Sequence, residues 1–300
     1  MKDAVQVLAN LSTLVFVVSS MLSLGLSLTL EQILNPLRDL GFVGRVLLAN
    51  FVLVPLVAYL LKTIIPLDPS LGIGLILLAT AAGAPFLPKL AQVSKGNVPL
   101  SVGLMVLLMV VTVFYMPIVL PLLLPGVQVN PLEIARSLII LMLIPLALGL
   151  LIHARYRPIA DLLQPYMAQA SSTSLVMIFV LILVLNIQSV LNTFGSGALL
   201  AALLLIGASL GIGYGLMGQS MDVKLVSALG TAQRNGAAAM VVATSNFGDD
   251  PNVLTMILVG LLFMLAILMG LAGEIGRRAG TSKNTDFSGS GNVISRVLAF

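Results

Sequence analysis

Two basic residues, Lys89 and Arg234, each lie in an otherwise apolar stretch of the chain that Gly or Pro residues interrupt. A Lys or Arg at the centre of a membrane costs about 2.5–3.5 kcal/mol on insertion scales, so such a residue indicates a function or a partner. Arg can hold a carboxylate through two parallel hydrogen bonds, and Lys acts as a point charge. These two residues therefore predict a site that binds an anion. The interrupting residues are Gly83, Pro85, Pro88, Gly230 and Gly236.

The acidic residues between positions 31 and 274 all fall in loops or at the ends of apolar segments. No carboxylate is therefore expected at mid-membrane to neutralise the two basic residues, to bind Na⁺ or to relay a proton. A cavity with fixed positive charge attracts anions. Neutral hydrogen bonds to the anion are expected from Asn50, Thr231, Gln233 and Asn235. The alternatives are snorkelling of the basic residues and simple proline kinks.

Composition indicates a chain that uses lipid as its solvent. Of 300 residues, 59% are hydrophobic and only 9% are charged, whereas a soluble domain carries about 25% charged residues. The absence of cysteine excludes thiolate metal sites and cysteine nucleophiles, and one His cannot form a histidine-rich metal site. The scattered basic residues do not indicate a nucleic-acid partner. The apolar segments hold no Asp pair, no His-bearing metal motif and no Ser–His partner, so an enzyme is not indicated.

About nine apolar segments have the length that crosses a bilayer, which predicts an all-α membrane protein. Lys and Arg concentrate in alternate loops. This bias predicts a multi-pass protein of the cell (plasma or inner) membrane, with the N-terminus outside and the C-terminus in the cytoplasm. The predicted spans are 11–30, 45–61, 71–93, 98–124, 134–152, 168–187, 198–217, 225–244 and 253–271.

Two of these spans, 71–93 and 225–244, contain the interruptions. Backbone that leaves a helix at membrane depth must be buried in protein or line a wet cavity. Paired interruptions in the two halves of a chain indicate a transporter's binding site. Residues 1–280 are therefore predicted to form one transporter domain. The Ser, Gly, Asn and Thr content after residue 280 predicts a disordered cytoplasmic tail over 281–300.

Several stretches between residues 22 and 271 resemble the bile acid:sodium symporter family. The resemblance implies a panel domain and a core domain related by inverted repeats, two broken helices that cross at mid-membrane, and alternating access. The stretches that carry it are MLSLGLSLTLEQI in the first span, Asn50-Phe51 with Pro55, KGNVPLSV at 95–102, LIPLALGLLIH at 143–153, GIGYGL at 211–216 and the segment that ends at Asn235.

The same resemblance implies that most sodium ligands of that family are replaced here. We hypothesise that Lys89 and Arg234 stand in for two sodium charges, so that no cofactor is needed and Na⁺ coupling is lost. Ser101 and Asn50 remain candidates for an ion or polar site. By position, a family Ser–Asn pair becomes Leu87 and Pro88, a Thr becomes Met105, a Glu becomes Gly230 and a Gln becomes Arg234, while Ser101 and Asn235 are kept.

These features predict a sodium-independent transporter that carries a small organic anion across a lipid bilayer by alternating access. One alternative is a sodium-coupled organic-anion symporter that uses Asn50, Ser101, Thr231 and backbone carbonyls as ligands. The other is an anion channel lined by the two broken helices. The sequence leaves the anion and the oligomeric state open.

Overall fold

The computed structural model describes residues 2–29, 31–32, 38–125, 130–217, 220–247 and 250–297. Within the described residues the chain is all-helical, as predicted. The helices are α1 (Lys2–Ser27), α2 (Leu40–Ile64), α3 (Pro69–Thr80), α4 (Leu87–Val93), α5 (Val98–Leu123), α6 (Pro131–Arg155), α7 (Arg157–Gly195), α8 (Ala198–Leu216), α9 (Met221–Ala232), α10 (Gly236–Asn246) and α11 (Pro251–Val297).

Five helices of the described chain are long and apolar enough to cross a membrane, which agrees with an all-α membrane protein. These are α2, α5, α6, α8 and the part of α11 from Pro251 to Ala279. Shorter apolar helical stretches are Leu11–Ser27 of α1 and the whole of α3. Every residue from Leu71 to Thr80 in α3 is buried, and a helix that is apolar on all sides belongs in the interior of a bundle.

Asn or Asp residues cap the N-termini of five of the described helices. A side-chain oxygen at the N-cap accepts a hydrogen bond from an N–H that lacks a partner within the helix. Asn and Asp serve this purpose here, often with Pro at the first helical positions, where its missing N–H costs nothing. The N-caps are Asp39 for α2, Asp68 for α3, Asn97 for α5, Asn130 for α6 and Asn235 for α10.

Helices α2 and α6 each contain a π-helical turn that ends two residues before a proline. These turns are Ala49–Leu53 before Pro55 and Ile139–Leu143 before Pro145. A proline inside a helix removes a donor and crowds the carbonyl four residues earlier, and a wider turn relieves that crowding. The carbonyl of Phe51, four residues before Pro55, accepts a hydrogen bond from the Tyr115 hydroxyl at 2.5 Å instead.

Helices α1, α6 and α7 form one layer of the bundle, in which α1 makes its largest contacts with the other two. The crossing of α1 and α6 depends on Gly25 and Gly149. A Cβ on Gly149 would lie 2.6 Å from the Leu22 carbonyl and 2.8 Å from the Gly25 Cα. Small residues at such a crossing let two membrane helices approach backbone to backbone.

Helix α11 extends from Pro251 to Val297, and the disordered cytoplasmic tail predicted over 281–300 stays a prediction. Membrane-length apolar sequence ends near Ala279, and the remaining residues continue the same helical backbone without a break. Side chains beyond residue 279 lie outside the described part of the chain, so the predicted domain boundary at 280 stays a prediction.

Candidate functional site

The first interruption lies between α3 and α4, where residues 81–84 leave the helical conformation. Gly83 has φ +78°, and a Cβ there would lie 2.6 Å from the Met109 Cα. Only glycine adopts this backbone freely and leaves this space. Thr112 on α5 braces the strand-like segment, because its hydroxyl donates to the Ala82 carbonyl and accepts from the Ala82 N–H, both at 3.0 Å.

The second interruption, residues 233–235 between α9 and α10, crosses the first. The Asn235 N–H donates to the Ala81 carbonyl at 2.8 Å. The Asn235 side-chain amide donates to the Gly83 carbonyl at 3.0 Å, while its oxygen caps α10 by accepting from the Ala238 N–H at 3.1 Å. One residue therefore joins both broken segments and starts a helix.

Arg234 is the charged residue at this crossing, and it is 2% exposed. Its guanidinium donates to the Ala79 carbonyl at 2.9 Å, and it also donates to the Asn50 side-chain oxygen and to the Thr231 carbonyl. Hydrogen bonds to a charged group contribute about 1.5–3 kcal/mol each. Three of them offset the cost of burying the guanidinium without any carboxylate.

Asn50 connects this arrangement to α2. It is fully buried in the π-helical turn, and its amide donates to the Val46 carbonyl at 3.0 Å and to the Thr231 hydroxyl at 3.3 Å. Asn50, Thr231 and Arg234, which the sequence predicts as site residues, are thus brought into one hydrogen-bonded group. We call this group, with the Ala79 and Thr231 carbonyls, the Arg234 cage.

Apolar side chains pack against Gly230, beside the cage. A Cβ added to Gly230 would lie 2.9 Å from Cδ2 of both Leu87 and Leu104. The resemblance places the family's sodium-binding Glu at Gly230 and a ligating Ser at Leu87. Both positions therefore meet in space, and both now contribute to an apolar contact. Met105, where the resemblance places a family Thr ligand, is fully buried.

A cavity of about 680 Å³ lies between the α1–α7 layer and the broken segments. Its walls come from the second half of α1, from α4, from the beginnings of α5 and α7, and from the second interruption. The loops that adjoin these helix ends carry Lys95, Arg155 and Arg157. Among the residues that the structure describes, no acidic side chain lines this cavity.

Lys89 and Arg234 both line the cavity, but their surroundings differ. The Lys89 side chain is exposed, and its ammonium donates to the Gln92 side-chain oxygen at 3.1 Å. Its described hydrogen bond goes to Gln92 and not to the Arg234 cage, so no contact supports its predicted role as a second sodium charge. That role stays a prediction, and the structure places Lys89 as an exposed cation at the cavity wall.

Other predicted residues are distributed around the cavity. Gln233 lines it and is 1% exposed, and Gly236 lines it next to Leu261 of α11. Ser101 is buried, and its hydroxyl donates to Val98 of its own helix at 2.6 Å, so the structure does not bring it to the cage. Pro85 and Pro88 lie in the wall beside Lys89.

The sequence reasoning missed the polar face that α1 and α7 turn to the cavity. Hydroxyls on α1 recur at spacings of three and four residues, the helical period that would have revealed them. The Gln164 amide of α7 donates to Ser23 of α1 at 3.3 Å. The polar lining residues on these helices are Ser20, Ser23, Ser27, Gln164, Ser171 and Ser172.

Comparison with known proteins gives the same family as the sequence motifs. The chain is 24% identical over 244 residues to a probable chloroplastic sodium/metabolite cotransporter, BASS3, of Arabidopsis thaliana, covering 78% of this chain and 56% of that protein. It is 33% identical over 135 residues to the probable BASS2 of Oryza sativa subsp. japonica, covering 44% of this chain and 32% of that protein.

The Arabidopsis thaliana protein BASS1, also a probable chloroplastic sodium/metabolite cotransporter, is 24% identical over 246 residues, which cover 79% of this chain and 60% of that protein. The chain thus spans less than two thirds of the length of these relatives. The model of the sodium bile acid symporter family matches residues 14–193, more than half of the chain. The chain belongs to the sodium bile acid symporter family.

Proposed function

We propose that this protein carries a small organic anion across the membrane by alternating access, without coupling to sodium. Family membership supports transport of a small molecule by a multi-pass membrane protein. The observation that carries the finer proposal is the Arg234 cage. Its acceptors are two backbone carbonyls and an amide oxygen, the oxygen types that coordinate Na⁺ at broken membrane helices.

The guanidinium of Arg234 takes the part of a bound cation in this proposal. A sodium ion enters and leaves its site in each cycle and thereby transfers the energy of its gradient. Arg234 is covalently attached and stays in place, so it supplies the charge and holds the two broken segments together without that coupling. The Leu87 and Leu104 contacts on Gly230 support the same reading, because hydrocarbon cannot coordinate a cation.

The anion is proposed to bind in the cavity between the α1–α7 layer and the crossing. Lys89 supplies a flexible counter-charge, and the hydroxyls of α1 and α7 supply neutral hydrogen bonds. Arg234 adds a fixed positive charge to the wall. With no described carboxylate in the lining, the field favours an anion over a cation.

We further propose nine membrane-crossing segments, two of them broken, with inverted repeats and a panel of α1, α6 and α7. The N-terminus lies outside and the loops with Lys95, Arg155 and Arg157 face the cytoplasm, in a cell (plasma or inner) membrane. The loop charges support this orientation. Because the cavity lies towards those loops, the proposed orientation makes this an inward-facing state.

A sodium-coupled organic-anion symporter is the second candidate. The names of the relatives, which are probable sodium/metabolite cotransporters, favour it. Its ligands would come from Asn50, Ser101, Thr231 and backbone carbonyls. In this candidate Arg234 must leave the cage during the cycle, because its guanidinium uses the Asn50 oxygen and the Thr231 carbonyl that sodium would need.

The experiment is uptake of radiolabelled small carboxylates into proteoliposomes that hold the purified chain, in matched sodium and choline buffers. The proposal predicts equal rates in the two buffers, saturation with substrate and acceleration by unlabelled substrate on the opposite side. Strict sodium dependence would establish the symporter instead. Anion currents far above the turnover of a carrier would establish a channel.

A further inference from the structure

The side-chain oxygen of Gln233 is a buried acceptor to which no described group of the protein donates a hydrogen bond. Gln233 directly precedes Arg234, it lines the cavity and it is 1% exposed. Its backbone is fixed, because its N–H donates to the Leu229 carbonyl at 2.9 Å. Its side-chain oxygen Oε1 is buried without a hydrogen-bond partner in the described part of the chain.

A buried acceptor without a donor is unfavourable, and native proteins almost always provide one. The other glutamines in the cavity wall have side-chain partners: Gln92 Oε1 accepts from Lys89, and the Gln164 amide donates to Ser23. Arg234 Nε, one residue further along the chain from Gln233, is a buried donor that also lacks a partner in the described part of the chain. The acceptor of Gln233 is therefore the one glutamine oxygen of the described cavity wall that is both buried and without a partner.

A hydroxyl group suits Gln233 Oε1, because it can donate one hydrogen bond. An oxo group can only accept, so it leaves Gln233 Oε1 unpaired. A methylene group leaves this oxygen unpaired as well. Sites that are built to hydrogen-bond a substrate group discriminate strongly against analogues that lack it, since the buried polar atoms of the site are then left without partners.

We propose that Gln233 determines specificity by accepting a hydrogen bond from a hydroxyl group on the substrate, so that the cavity selects hydroxy acids over the matching oxo and unsubstituted acids. The inference rests on the proposed transport of organic anions and assigns a group that such an anion carries. In this proposal, Lys89 binds the carboxylate of the substrate at the exposed wall of the cavity, and Gln233 accepts the hydrogen bond from the hydroxyl at the buried wall.

The test uses four acids that share one carbon skeleton: butanoate, 2-hydroxybutanoate, 3-hydroxybutanoate and 2-oxobutanoate. Binding of each to the purified full-length chain is measured by thermal shift, and transport by counterflow in proteoliposomes. We expect one hydroxybutanoate to bind at least about tenfold more tightly than butanoate and 2-oxobutanoate. In Gln233→Leu this preference falls below about threefold, because the acceptor is gone.

Gln164→Leu is the matched control, since the same change is made at a cavity glutamine whose amide already has a partner. It is expected to alter the affinities for all four acids together and to keep their ratio. Equal binding of hydroxy and oxo acids by the parent, or an unchanged preference in Gln233→Leu, overturns the role of Gln233 alone. Failure of every organic anion to bind or to be transported overturns the proposed function as well.

Discussion

Among the residues that the structure describes, only neutral acceptors surround the charge of Arg234. The three oxygens around the guanidinium come from α2, from the end of α3 and from the end of α9. A diffusible cation at the same position would join the same three elements. The difference is that a side chain cannot dissociate, so the proposed function predicts that the charge remains at the crossing throughout a transport cycle.

Removing the guanidinium should destabilise the fold. Arg234→Met leaves the Ala79 carbonyl, the Asn50 oxygen and the Thr231 carbonyl without this donor, and each unsatisfied buried group costs about 1–3 kcal/mol. We expect the thermal unfolding midpoint of the purified protein to fall, and we expect added organic anions not to restore it. Arg136→Met, at an exposed position of α6, is the control and should leave the midpoint within error. An unchanged midpoint in Arg234→Met would contradict the cage.

The sequence predicted that Arg234 is buried, because apolar residues flank it on both sides, but not what it contacts. Ala79 and Asn50 lie 155 and 184 positions away along the chain. Hydrogen-bond partners at such distances follow from how helices pack, which local residue types do not encode. For the same reason the exposed position of Lys89 beside Gln92 was not distinguishable from burial at the crossing.

The two broken helices depend on residues whose backbone behaviour is readable from the sequence. Gly83 and Pro85 in one segment, and Gly230 and Gly236 in the other, place the interruptions where the structure has them. The contacts between the segments, through Asn235, are not readable in this way. The polar stripe on α1 is intermediate: its helical spacing is visible in the sequence, although the cavity that it faces is not.

Gly83→Ala tests the first interruption. The change forces a Cβ onto φ +78° and against Met109, and a residue held in such a conformation costs roughly 1–3 kcal/mol before any steric clash. We expect a marked loss of thermal stability in detergent. Gly44→Ala is the control, because a Cβ there meets nothing within 4 Å and Ala stabilises a helix interior by about 0.5–1 kcal/mol. Equal stability of the two variants would show that the broken backbone is not required.

At the scale of the whole molecule, the cavity lies on one side of the crossing, and buried helices of the described chain lie on the other. Leu71–Thr80 of α3 and Ala238–Ala243 of α10 are buried throughout, whereas the cavity occupies the half towards Lys95, Arg155 and Arg157. The proposed carrier would have this asymmetry in either of its two alternating states. An open channel would be accessible from both sides at once.

Single cysteines can test this asymmetry directly, because the chain contains none. Ser171→Cys in the cavity should react with a membrane-impermeant maleimide at least about tenfold faster from the face of Lys95 and Arg155 than from the other face, if the inward-facing state dominates. Thr63→Cys, exposed at the opposite end of α2, should show the reverse preference. Equal labelling of Ser171→Cys from both faces would contradict a closed outer side.

Sodium-dependent stability is the most direct test of Arg234 as a resident cation. The thermal unfolding midpoint is measured as sodium chloride replaces choline chloride at constant ionic strength, for the parent, Arg234→Lys and Arg234→Gln. A ligand that binds only the native state raises the midpoint by mass action. We predict no sodium-specific rise in the parent or in Arg234→Lys, and a saturable rise in Arg234→Gln, whose cage oxygens are free to bind the ion. A saturable sodium-specific rise in the parent would contradict the account.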